Sequence, residues 1–481
     1  MAHLFISAAH KSSGKTTLSI GLAAALRAAG NAVQTFKKGP DYIDPLWLTA
    51  ASGRDCLNLD YFTMTEKEIV ATFARHAYGA DISIIEGNRG LYDGLDLDGS
   101  NSNAALATLL EAPVVLVIDT RGMTRGIAPL ILGYQAFDPS VDIAGVILNK
   151  VGGARHERKL RAIIKHYTGI PVLGAMHRNK NLEISERHLG LIPSNEAKGA
   201  AAKIEALAAA VADQVDLQRI SEIAATAPSL TVESVVGSRP RKKDVRIAIA
   251  RDSAFGFYYA GDLDALARAG AELVPIDTMA DYRLPAVDGL FIGGGFPETH
   301  MRELEANGAL RDDIRMAIEG GLPTYAECGG LIYLARRLTW NGITYDMAGA
   351  IPADVVMHEK PQGLGYVRLR ETGLGPWTPV DAGGLPRDIP AHEFHYSSLE
   401  NLPSGVGFAY EVLRGHGIDG RNDGLIVNNL LASYSHLRDA EGNRWAGRFV
   451  DFVRRCKSAK TRTTAPTRPT AKQCEAELKK T

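Results

Sequence analysis

A chain of 481 residues exceeds what one ordinary hydrophobic core organises, so two or three domains are expected. Apolar residues at 45%, charged residues at 23% and a formal net charge of -1 describe an ordinary globular protein and give no reason to expect a nucleic-acid partner. The four cysteines, Cys56, Cys328, Cys456 and Cys474, form no Cys-x-x-Cys pair, and no stretch has the apolar length of a membrane span or the pattern of a secretory signal. A disulfide framework, a zinc site and a membrane are thereby disfavoured, and a reducing cytoplasm fits best.

Short apolar runs alternate with Ala-rich helical patterns from the start: Leu4 to Ala8, Ile82 to Ile85, Val114 to Ile118 and Ala144 to Leu148 read as strands. Thr17 to Ala29, Asn103 to Leu110 and Ala200 to Val215 carry helical spacing. That alternation predicts a parallel α/β sheet with crossover helices.

The first strand runs into Ala9-His10-Lys11-Ser12-Ser13-Gly14-Lys15-Thr16-Thr17 and then a helix, the context of a phosphate-binding loop. Backbone N–H groups over Ser12, Ser13, Gly14 and Thr17 would cradle phosphates, Lys15 would reach the terminal phosphates, and Thr16 would offer its hydroxyl to Mg2+. ATP binding is predicted, although Ala9 stands where the usual pattern has its first glycine. A second segment, Phe36 to Pro45, concentrates Lys37, Lys38, Asp41, Tyr42 and Asp44 between turn-formers and is predicted to be a functional loop. A third follows the strand Ile82 to Ile85, where Glu86 and Asp93 are candidate Mg2+ ligands at a strand's carboxyl end. Asp119, in the same position after Val114 to Ile118, is a weaker candidate or a turn cap.

On Ser12 to Thr17, Gly39-Pro40-Asp41-Tyr42-Ile43-Asp44-Pro45, Glu86-Gly87 with Gly90 to Gly94, and Ala144 to Asn149, the chain resembles the cobyrinic acid a,c-diamide synthase family over roughly residues 1 to 455. Its first domain is similar to dethiobiotin synthetase. The Gly-Pro-Asp-Tyr-Ile-Asp-Pro string is the specific part of the match.

Around 226–244 the pattern dissolves into a polar, proline-bearing segment with the composition of a linker. The expected organisation is an ATP-binding domain over 1–225, the linker, a second α/β domain over 245–456, and a basic disordered tail over 457–481. The expected fold class is α/β, with each domain a mostly parallel sheet flanked by helices.

In the second domain, Tyr325-Ala326-Glu327-Cys328-Gly329-Gly330 puts a cysteine on a sharp strand-to-helix turn, which exposes a nucleophile at a helix start. Gly294 and Gly295, within Gly293-Gly294-Gly295, are the candidate oxyanion hole, and His436 is the best base for Cys328. The arrangement resembles a class I glutamine amidotransferase domain. Members with a full triad carry Glu two positions after the His, where Arg438 stands here; a Cys-His pair without that carboxylate is also what the cobyrinate and cobyric acid synthase families resemble, and another carboxylate to orient His436 stays open. His392 and His395 in His-Glu-Phe-His lack the i, i+4 spacing of a zinc protease and are read as structural or substrate-facing.

The family resemblance implies an ATP-dependent, glutamine-hydrolysing carbon–nitrogen ligase acting on tetrapyrrole carboxylates through an acyl phosphate. Lys37 would help to neutralise the phosphates, and Asp41, Tyr42 and Asp44 would line the acceptor pocket. Glutamine, ATP and the tetrapyrrole are the expected partners, and the question of a homodimer stays open. Cobyric acid synthase and a partition-type ATPase are disfavoured, the first by the Gly-Pro-Asp-Tyr-Ile-Asp-Pro string and the second by Cys328 with His436. Lys38, Trp47 and Leu48 depart from the family pattern beside the acceptor loop, which keeps sirohaem, amidated for a sulfite reductase, as the alternative acceptor.

Overall fold

The computed structural model describes residues 1–187, 190–230, 241–379 and 388–464. Two sheets lie on either side of the 226–244 segment, and residues 231–240 of that segment fall outside the described residues.

The first sheet has seven parallel strands in the order Leu57–Leu59, Val33–Lys38, Ile82–Glu86, His3–Ala8, Val114–Asp119, Ile143–Val151 and Val172–His177. Its central strands are buried along their whole length, which explains why they read as continuous apolar runs rather than alternations. Register brings the carboxyl ends together: Ile6 lies opposite Glu86, and Glu86 opposite Lys37. The helix Lys15–Ala28 begins directly after Gly14, whose φ of 90° turns the chain out of the loop. The predicted loop over 36–45 is shorter than expected. Lys37 and Lys38 end a strand, and the helix Ile43–Ser52 begins inside the segment because the Asp41 carboxylate accepts from the N–H groups of Ile43 and Asp44.

The second sheet has ten strands and is mixed. Ala271–Ile276, Val245–Ala250, Gly289–Ile292, Thr324–Glu327 and Leu430–Ser433 are parallel, while Asn422–Val427, Gly407–Arg414, Gly363–Glu371, Asp388–His395 and His436–Leu437 continue it antiparallel. His436 pairs with His392 at one end of this order, yet in the chain it closely follows Ser433, which pairs with Glu327 near the centre. The sheet therefore curls, and its edge returns to the turn that carries Cys328.

Apolar packing joins the two halves: Phe257 and Phe296 of the second belong to the same buried cluster as Ile43, Trp47 and Leu48 of the first. Helix Trp445–Thr464 continues past the expected boundary at 456, so residues 457–464 are helical rather than part of a disordered tail, and residues 465–481 lie outside the described residues. Among the described residues, no helix is long and apolar enough to cross a membrane.

Candidate functional site

The phosphate-loop turn is held from the side. Asn149 donates to the Ser13 carbonyl at 2.7 Å, and a Cβ at Gly14 would sit 2.1 Å from the Asn149 amide nitrogen, so the turn admits only glycine. The buried Ser13 hydroxyl donates to the His10 carbonyl at 2.8 Å, while Ser12 is exposed with φ at 63° and accepts from Lys150 through its carbonyl. Thr17 is half-buried one residue into the helix from Thr16.

Thr16 donates to Glu86 at 2.7 Å and sits 3.1 Å from Asp44, while Lys37 pairs with Asp44 at 2.5 Å and Glu86 at 2.7 Å, with Asp41 at 3.9 Å. Five residues from three segments of the chain thus meet at the strand ends. Burial disfavours the ammonium of Lys37, but Asp44 and Glu86 outweigh it and hold its pKa well above the usual lysine value. Burial raises Glu86, whereas in Asp44 the burial effect is outweighed by Lys37 and its pKa falls. The second oxygen of Glu86 is buried without a hydrogen-bond partner. Such an orphaned carboxylate oxygen beside a threonine hydroxyl and a second carboxylate suits a hard divalent cation that completes its shell with phosphate and water. No group of three or more His, Cys, Asp or Glu among the described residues forms an all-protein metal cage.

Asp93 stands apart from this cluster. Its carboxylate accepts from the Gly90 N–H at 2.8 Å and closes the turn after Glu86, and its charge acts on Lys15 from there. Lys15 donates to the Arg89 carbonyl, and its pKa is lowered to about 8 by burial and by Lys37. Asp119 accepts from the Arg121 backbone and side chain and from Lys150, which makes it a turn cap. Trp47 and Leu48 are both buried in the core, and the Trp47 indole donates to the Ile192 carbonyl at 2.9 Å.

In the second half, Cys328 has φ 46° and ψ -100°, a strained turn between the strand Thr324–Glu327 and the helix Gly329–Leu334. The turn requires small neighbours. A Cβ at Gly330 would lie 2.2 Å from the Ile292 carbonyl, one at Gly329 2.8 Å from the Gly295 nitrogen, and one at Gly294 2.7 Å from the His436 ring. Gly294, Gly295, Cys328 and His436 therefore converge. His436 is buried and interacts with the Cys328 thiol, and its Nδ1 donates to Glu327 at 3.3 Å. Burial lowers its pKa, but the bonds to Cys328 and Glu327 prevail and push it up to about 10.

Glu327 is the orienting carboxylate that the spacing after His436 does not supply. It is buried, accepts from the Tyr325 hydroxyl at 2.6 Å and the Leu437 N–H at 2.9 Å, and its position next to Cys328 at the end of a buried strand is the sequence signal for it. Arg438 serves elsewhere: it lies over the Tyr259 ring at 4.5 Å, faces Asp262 at 3.7 Å and donates to the Asn58 carbonyl of the first half at 3.2 Å. His392 and His395 lie on the strand Asp388–His395. His392 is half-buried beside His436 and its pKa is lowered to about 3, first by desolvation and then by that neighbour, while His395 stacks on Tyr434.

A nucleotide-loop α/β sheet packed on a cysteine glutaminase sheet defines a two-domain glutamine amidotransferase. Residues 5–192 match the CobQ/CobB/MinD/ParA nucleotide-binding domain family, and residues 246–443 match the CobB/CobQ-like glutamine amidotransferase domain family. The chain is 48% identical to a cobyrinate a,c-diamide synthase of Magnetococcus marinus, covering 94% of this chain and 97% of that one. It is 43% identical to that of Methanosarcina acetivorans (93% and 94% covered) and 42% identical to that of Archaeoglobus fulgidus (91% and 94%). The chain belongs to the cobyrinate a,c-diamide synthase family and is a glutamine-hydrolysing, ATP-using ligase.

Proposed function

We propose that the protein amidates side-chain carboxylates of a corrin tetrapyrrole, cobyrinate or its metal-free counterpart, with ammonia drawn from glutamine. The observation that carries this reading is the contact between the two halves: Tyr42, from the Gly-Pro-Asp-Tyr-Ile-Asp-Pro segment, packs on His436 of the glutaminase pair. In this reading residues 1–225 form the synthetase domain and 245–456 the glutaminase.

Cys328 attacks the side-chain amide carbon of glutamine, and Gly294 and Gly295 border the developing oxyanion. His436, its ring fixed by Glu327, protonates the leaving ammonia; water then cleaves the thioester to glutamate. At the other site, Ser12 to Thr17 hold the ATP phosphates and Lys15 neutralises the terminal one. An acceptor carboxylate oxygen attacks the γ-phosphorus and ADP leaves, giving an acyl phosphate. Ammonia adds to the acyl carbon, phosphate departs with the carbon–oxygen electron pair, and an amide remains. Thr16, Glu86 and Asp44 would hold Mg2+, which when bound stabilises charge on the transferring phosphoryl group. Asp93 supports the site through the Gly90 turn, and Lys37 fixes the ligand carboxylates. Asp41 and Asp44 border the acceptor, while Tyr42 faces the ammonia source.

The case for sirohaem weakens because Trp47 offers its face to the core and not to a macrocycle. The test is incubation with ATP, Mg2+, glutamine and either cobyrinate or sirohaem, followed by mass spectrometry. Each amidation lowers the mass by about one unit, and 18O placed in the acceptor carboxylates should appear in the released phosphate. Amidation of cobyrinate without 18O transfer would exclude the acyl phosphate. Reaction on sirohaem alone would replace the acceptor.

A further inference from the structure

Arg368 and Arg414 are register partners on adjacent antiparallel strands of the glutaminase half, and both are exposed. Their guanidinium carbons lie 5.2 and 5.6 Å from the ring centre of Phe62 in the other half. Two like charges side by side repel, and neither has an ion-pair partner among the described residues. Arg370, on the same strand, is paired with Asp388, so arginines here are not unpaired by default.

The cationic surface continues toward the phosphate loop. Phe62 stacks on Tyr366 at 4.3 Å, and the Tyr366 hydroxyl donates to Asp60 at 2.7 Å. That hydroxyl lies 4.0 Å from where a Cβ of Gly39 would be, so the face adjoins Gly39-Pro40-Asp41. Beyond it stand the buried ammonium of Lys38, 3.4 Å from the Asn88 amide oxygen, and the exposed Arg89, whose charge acts on both Lys38 and Tyr366. Arg89 has φ 38°, a strained conformation, and its carbonyl accepts from Lys15.

Four cations drawn from both halves, with Asp60 among them and Asp41 at their border, are linked through Phe62, Tyr366 and Gly39 to the segment that carries Asp44 of the candidate phosphoryl-transfer site. A neutral or cationic ligand would leave that repulsion unrelieved. A ligand with several carboxylates set around a broad frame would relieve it, because guanidinium binds carboxylate bidentately and from fixed directions. We propose that Arg368 and Arg414, together with Lys38 and Arg89, form a docking face for the carboxylates of the acceptor that are not reacting, so that one remaining carboxylate reaches the phosphoryl-transfer site. This rests on the reading of the acceptor as a polycarboxylate tetrapyrrole. It adds the glutaminase half to acceptor recognition.

The test uses the full chain with Arg368→Gln, Arg414→Gln, the double variant, and Arg158→Gln as an exposed control on the helix Ala154–Tyr167 with the same loss of charge. Cobyrinate binding is measured by equilibrium dialysis without ATP or glutamine, and KM and kcat for cobyrinate are measured in the full reaction. Each single variant should raise the acceptor Kd and KM about tenfold and lower kcat by less than about threefold, as expected for lost ground-state contacts. The double variant should lose most of the salt dependence of binding, while Arg158→Gln should change neither constant. Acceptor Kd and KM within about twofold of the parent in the double variant would overturn the docking face. Binding that depends on the two arginines without any amidation would instead defeat the amidation reading and leave the docking face standing. A parent protein that fails to bind cobyrinate defeats both.

Discussion

The ring of Tyr42 lies 5.0 Å from that of His436, and the same tyrosine stacks on Phe257 at 5.6 Å and lies tilted against Tyr259 at 4.4 Å. One residue before it and two after it, Asp41 and Asp44 interact with Lys37. A single short segment therefore touches the glutaminase base with one side chain and the candidate phosphoryl-transfer cluster with its neighbours.

Tyr42→Ala is expected to loosen this link. Aromatic contacts of this kind are worth about 1 kcal/mol each. Glutamine-dependent amidation should fall about tenfold while ammonium-dependent amidation falls less, and more than one glutamine should be consumed per amide formed. Measuring glutamate against amide product decides it; an unchanged ratio would remove the coupling role.

Cys328→Ser should abolish amidation driven by glutamine and leave that driven by ammonium salts, since the thiol is used only to release ammonia. Equal loss of both activities would show that the two sites do not divide the work in this way.

Glu327→Gln tests the orientation of His436. The raised pKa means that the imidazolium persists up to about pH 10; its stabilising effect is complete below the ordinary histidine range and is lost as pH rises through about 10. Removing the carboxylate takes away one of the raising effects, so the alkaline limb of the glutaminase profile should move to lower pH. A pH–rate profile for glutamine hydrolysis from about 6 to 11 covers the range, and an unmoved limb counts against Glu327 as the positioning group.

Lys15→Ala should remove amidation with either nitrogen source, because both need the terminal phosphate positioned and neutralised. Such electrostatic contributions commonly reach about 3 kcal/mol, roughly a hundredfold in rate. Glutamine hydrolysis at Cys328 should be affected far less, and near-normal ammonium-dependent turnover would argue against an ATP site at this loop.

The sequence by itself determined the elements whose signals are local. Gly14 before Lys15 and Thr16, after an apolar run, specifies a strand, a turn and a helix start. Cys328 between a buried strand and two glycines specifies a sharp nucleophile turn. The segment Gly39 to Pro45 marks the family because its turn-formers and carboxylates are contiguous. What lies between distant segments was decided only by the tertiary structure. Asp44 and not Asp93 stands beside Thr16, because strand register brings Lys37 next to Glu86 and the Asp41 cap starts a helix that turns Asp44 inward. Trp47 is in the core because it lies one turn into that helix on its buried side. Glu327 meets His436 because the second sheet curls, and Tyr42 meets it because the two halves share an apolar junction. Periodicity and glycine placement report the backbone of one segment, whereas these contacts depend on which faces of remote segments pack together, a property of the assembled core that no single stretch of sequence carries.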